Sequence, residues 1–149
     1  MAEFLATCPD PKWRDANRAR DLASKMTRRC PERGYAWTTL GMAAYRLGDY
    51  ASAIAALKKA MSLKGDKGPT EQFFLAMAHW QLGNKRQARE WFDKATAWMN
   101  KNALQEDNLL RFRAEASALL GLSGPEVPTA LKGGNTKSDP LQGKHPETK

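Results

Sequence analysis

From about residue 12 to residue 121 the hydrophobic positions fall into helical stripes separated by glycine and proline. Trp37, Leu40, Ala44 and Leu47 recur at three- and four-residue steps, which places them on one face of a helix. Gly48 interrupts that stripe, and Asp49 stands where a helix N-cap would accept orphan N–H bonds. Tyr50, Ala53, Ile54, Leu57, Ala60 and Met61 then mark the face of a second helix. The same grammar returns downstream. Leu40 and Leu75, Met42 and Met77, Leu47 and Leu82, and Gly48 and Gly83 are each 35 positions apart. The register continues through Ala53 and Ala88, Leu57 and Phe92, then Lys59-Ala60 and Lys94-Ala95. A repeat length near 34 residues with a glycine turn inside each unit predicts stacked helix–turn–helix units.

Flanking segments extend the pattern. After Pro9-Asp10-Pro11, residues 13–26 read as a helix. Its Ala19, Leu22, Ala23 and Met26 echo Ala53, Ala56, Leu57 and Ala60 at a spacing of 34, as the second helix of an incomplete unit would. Residues 105–120 carry Leu109, Phe112, Ala116, Leu119 and Leu120 on one face before Gly121 stops them, as expected of a capping helix. The prediction is an all-α fold, a short solenoid of antiparallel helix pairs with about six helices. It comprises a half unit at 12–30, whole units at 34–64 and 69–99, and a capping helix at 104–121, together a domain over 1–122. Gly41 or Ala76, Ala53 or Ala88, and Ala60 or Ala95 are the small residues expected where helices approach closely. From residue 123 to 149 glycine and proline dominate over apolar residues, so a disordered tail is expected.

Trp37, Leu40-Gly41, Tyr45, Gly48-Asp49-Tyr50, Ala53, Leu57 and Ala60 together resemble the unit of the tetratricopeptide repeat (TPR) family. In the second unit Gln72 replaces the usual aromatic and Ala76 the glycine. Lys64-Gly65 stands where a unit commonly ends in proline. The runs at residues 6–15, 73–80 and 111–116 are similar to a bacterial subgroup of these repeats. In that subgroup the module commonly closes the C-terminal end of large multidomain proteins, which implies an accessory or scaffolding role. The resemblance also implies a concave face lined by the first helix of each unit and able to take up a peptide. Carried onto this chain, that groove comprises Tyr35, Thr38, Met42, Tyr45 and Arg46 from the first unit. The second supplies Phe73, Met77, Trp80 and Gln81. Arg46 is expected to pair with a carboxylate of the ligand. The clamp by which related domains hold chaperone tails is not expected, because Thr38, Met42 and Phe74 stand at its positions.

Composition narrows the function further. A hydrophobic fraction of 42% and a charged fraction of 27% are ordinary for a soluble globular chain. No apolar run approaches the roughly 20 residues needed to span a bilayer, and Glu3 stands where an export signal would be basic. A cytoplasmic location and no membrane partner are therefore expected. Cys8 and Cys30 fit neither a metal spacing nor a redox pair, and are expected as free thiols. The net charge of +8 is spread along the chain, with acidic residues interleaved as on a solvated helix surface. Catalytic motifs are absent, and His79 is read as a packed structural residue. The sequence thus predicts no enzyme, no cofactor, no metal and no small-molecule substrate. A protein or peptide partner is expected. Self-association through an exposed Trp91 or Trp98, and weak nucleic-acid binding through basic side chains, are the two alternatives.

Overall fold

The computed structural model describes residues 1–8, 10, 14–64, 68–103 and 105–122. Seven helices follow one another among them: α1 (Ala2–Thr7), α2 (Ala16–Arg29), α3 (Gly34–Arg46), α4 (Tyr50–Lys64), α5 (Pro69–Gln81), α6 (Lys85–Lys101) and α7 (Asp107–Leu119). The most extensive packing is α3 on α4 and α5 on α6, the two hairpins of the repeat; α2 on α3 and α4 on α5 join one unit to the next. The fold is a short all-α solenoid of antiparallel helix pairs. The segment expected to be a tail, 123–149, lies outside the described residues.

The turn inside each unit has one mechanism. Gly48 and Gly83 take φ of +80° and +82°, the left-handed region that a Cβ disfavours. At the first turn the Gly48 N–H donates to the Tyr45 carbonyl and the Asp49 N–H to the Ala44 carbonyl, both at 3.0 Å. At the second, Gly83 donates to Trp80 and Asn84 to His79 at 3.0 and 2.9 Å. These bonds satisfy the last carbonyls of α3 and α5 and reverse the chain within two residues. Asp49 then caps α4, its Oδ1 accepting from the Ser52 N–H at 3.2 Å. Asn84, at the matching place before α6, makes no side-chain cap bond.

Small side chains set the spacing within each pair. Ala53, Ala60, Ala88 and Ala95 have no exposed surface, as does Ala76. Gly41 is the tightest contact: a Cβ there would stand 2.6 Å from the Leu57 Cγ and 3.2 Å from the Ala53 carbonyl oxygen. Leu57 is itself fully buried, so α3 and α4 rest against each other at that glycine.

One helix has no counterpart in the sequence pattern. α1 spans six residues with no side-chain N-cap, too short to show a period or to hold itself together in water. Its stability is tertiary. Leu5 and Ala6 are buried in the common core, and α1 packs on α2 and α3. Its C-terminal carbonyls are taken by two guanidiniums. Arg14 donates twice to the Cys8 carbonyl, at 2.9 and 2.8 Å, and Arg111 of α7 donates to the Thr7 carbonyl at 2.8 Å. The first helix is thereby tied to the last.

Candidate functional site

On the concave side α7 packs along α5 and reaches α3 through a side-chain pair at Arg46. Phe74 of α5 lies at the centre of that side with no exposed surface. Its ring meets Tyr45 of α3 edge-on at 5.5 Å and Phe112 of α7 at 5.1 Å between centroids. Above them the Arg46 guanidinium stacks 5.4 Å from the Phe74 centroid and 5.6 Å from that of Tyr45. It pairs through both terminal nitrogens with Glu115 of α7, Nη2 to Oε2 at 2.8 Å. The pair is partly buried, with the Arg46 side chain 12% exposed. Burial pushes the Tyr45 phenol above its ordinary pKa, and the Glu115 charge adds to the push. α7 therefore does more than shield the last unit, because it crosses to the first unit through Glu115 and to α1 through Arg111.

This arrangement divides the residues that helical period assigned to a peptide groove. Phe73 and Met77 have no exposed surface and Met42 has 1%. Phe73 faces α6, its ring 5.8 Å from that of Phe92. Tyr45 is buried at 9%, and Thr38 donates from its hydroxyl to the carboxylate of Glu71, itself 1% exposed. Arg46, expected to pair with a ligand carboxylate, already holds the chain's own Glu115. Besides the paired Arg46, three of the assigned residues keep accessible surface: Tyr35, 46% exposed at the start of α3, and Trp80 and Gln81 at the end of α5. The Lys85 ammonium lies over the Trp80 ring at 5.2 Å.

Among the described residues, two openings lie along this side. One, of about 100 Å³, lies between α1, α3 and α5 and is bordered by Glu3, Tyr35, Thr38, Met42 and Glu71. The other, about 440 Å³, runs between α1 and α7 past Glu3, Phe4, Thr7 and Asn108, with Phe4 half exposed. Glu71, Glu115 and Phe112 were not assigned to the site from sequence. Only the helical face of Phe112 hinted at its inward position.

Chemistry of other kinds finds little to build on. Among the described residues no group of His, Cys, Asp and Glu is placed to hold a metal ion, and Cys8 and Cys30 are free thiols. No helix among them is long and apolar enough to cross a membrane. Trp91 and Trp98, the residues expected on an outer self-association surface, are each half-buried.

His79 is a buried polar residue with a measurable consequence. It is 5% exposed, and neither ring nitrogen has a hydrogen-bond partner. Burial lowers its pKa below the ordinary 6.5, and the nearby Lys58 ammonium acts in the same direction. Below about pH 6.5 the unfolded chain takes up a proton that the folded chain resists. The sign is therefore loss of stability as pH falls below that value, with no contribution from His79 above it. The urea midpoint of the wild type should decline between pH 6.5 and 5 more steeply than that of His79→Leu. Parallel curves for the two proteins would show that His79 accepts its proton freely in the fold.

Comparison with known families gives two matches. One tetratricopeptide repeat model matches residues 34–66 and a second matches residues 72–102. They cover α3–α4 and most of α5–α6, the two hairpins closed by Gly48 and Gly83. No curated protein matches the chain.

Proposed function

This chain is a tetratricopeptide repeat protein, and we propose that it is an accessory module that takes up a short partner segment at the concave side of α3 and α5. Repeats of this family mediate protein–protein interaction. The observation that supports this reading is the division of the groove residues. The middle of the concave side is filled by Phe74, Phe112 and the Arg46–Glu115 pair, while both ends keep open surface. At the α3 end, Tyr35 stands beside an opening floored by Thr38 and Met42. At the other end, Gln81 is hydrogen-bonded to Tyr45 and Trp80 is half-exposed.

Exposed or half-exposed aromatics give large contact area for little lost rotamer freedom, which is why such residues dominate protein interfaces. The polar lining at Thr38, Glu71 and Glu3 favours a segment with hydrogen-bond donors at that end. A partner of this kind makes its contacts with the rim, and Phe73 and Met77 contribute as the support beneath it.

The test is affinity capture from native lysate with quantitative mass spectrometry, comparing wild type with the Tyr35→Ala, Trp80→Ala double variant. Circular dichroism and melting establish that the variant is folded. Partners retained by the wild type and depleted on the folded variant support the groove. Equal recovery on both proteins removes it.

A further inference from the structure

A second surface, which meets the concave side at Met1 and Tyr35, lies at the N-terminal end of the array. Leu22 and Met26, one helical turn apart on α2, form the floor of a groove of about 340 Å³ whose far wall is Ala2 of α1. Lys25 and Arg29 border it from the same helix. The groove continues past Met26 and Arg29 into a smaller hollow of about 100 Å³ beside Cys30, Arg33 and Tyr35. α2 and the turn that leads from it into α3 thus carry an apolar and a cationic stripe. Leu22, Met26 and Cys30 are half-buried and apolar, whereas Lys25, Arg29 and Arg33 are exposed and cationic. Among the described residues no carboxylate borders either hollow, and none of the three cations is in an ion pair. At the opposite end of the array, α7 packs against α5 and α6 and covers the last hairpin.

We propose that this groove docks an acidic amphipathic helix of a partner protein, its apolar stripe on Leu22 and Met26 and its carboxylates against Lys25, Arg29 and Arg33. Charge decides the occupant. Residues 10–33 carry eight Lys or Arg against four Asp or Glu, and the whole chain is +8. A second copy brings the same sign, and residues 123–149 hold four Lys against three acidic residues, so neither complements the rim. Shape separates the proposal from the other anionic classes. A lipid surface or a nucleic-acid backbone gains nothing from a recessed apolar floor, whereas a helix laid in a groove buries its stripe there. Methionine at the centre of the floor adapts to varied apolar side chains. Complementary charge at the rim sets orientation and accelerates encounter.

Fluorescence anisotropy provides the test, using a synthetic labelled helical peptide with leucines at three- and four-residue steps flanked by glutamates. A companion peptide carries lysine at every glutamate. Both are titrated against the wild type and against Lys25→Glu, Arg29→Glu, a variant of two exposed side chains, while the Met26 methyl resonance is followed by NMR. The glutamate peptide should bind the wild type, move the Met26 signal and lose about tenfold or more in affinity on the variant. The lysine peptide should show the reverse preference. An unmoved Met26 signal, or equal affinity for wild type and variant, overturns the proposal. So does engagement of anionic vesicles or duplex DNA by the wild type while the glutamate peptide stays unbound. Failure of the concave-side reading would leave these outcomes unchanged, because none of the residues varied in this test borders that side.

Discussion

Phe74→Ala is expected to lower the unfolding free energy by about 3–5 kcal/mol, the range for deleting a fully buried phenylalanine. The ring is the meeting point of three helices. It has no exposed surface, touches Tyr45 and Phe112 edge-on and supports the Arg46 guanidinium from below. Removing it strips two aromatic pairs, each worth about 0.5–1.5 kcal/mol beyond area burial, and leaves a void beneath a partly buried charge. Small domains have roughly 5–15 kcal/mol of total stability, so the loss should appear as a large fall in the urea midpoint. Phe74→Leu retains most of the volume and should recover much of the difference. A loss below about 1 kcal/mol for the alanine variant would mean that α7 does not press on α5 at this point.

The contrast between what the sequence reveals and what it conceals follows from where each interaction is encoded. Leu40 with Leu75, Gly48 with Gly83 and Ala53 with Ala88 recur because every unit of a solenoid must bury the same faces and turn at the same place. Such positions announce themselves by repetition, and the hairpins α3–α4 and α5–α6 follow from them. The concave side is different. Helical period alone places Phe73, Met77 and Met42 toward a groove, but whether that groove is open depends on how the flanking helices settle. Glu115 meets Arg46 across 69 residues of sequence, and Arg111 meets Thr7 across 104. Neither pair has a local signal, and neither lies inside a repeat. α1 is hidden for a related reason: six residues fix too little backbone to form a helix unaided, so its formation depends on Leu5, Ala6 and two arginines from elsewhere.

The Arg46–Glu115 pair is where closure of the concave side can be loosened without emptying the core. Glu115→Ala is expected to reduce stability by about 1–3 kcal/mol. Breaking a fully buried pair costs about 3–5 kcal/mol, but the Glu115 side chain is 35% exposed, so water partly replaces the lost carboxylate. Arg46→Met keeps an apolar stem over Tyr45 and Phe74 and removes the charge that Glu115 neutralises. A double-mutant cycle over the two changes should therefore show a coupling of about 0.5–3 kcal/mol. Tyr45 supplies a local readout. The Glu115 charge helps to hold its phenol above the ordinary pKa, so Glu115→Ala should lower the titration midpoint of that tyrosine. Negligible coupling together with an unmoved Tyr45 would show that α7 is seated by Phe112 alone. Where both respond, the variant also distinguishes two ways of binding at the concave side. A partner that contacts only the rim at Tyr35 and Trp80 should bind it as it binds the wild type. A partner that must reach past α7 should bind it more tightly, since part of the work of opening has already been done.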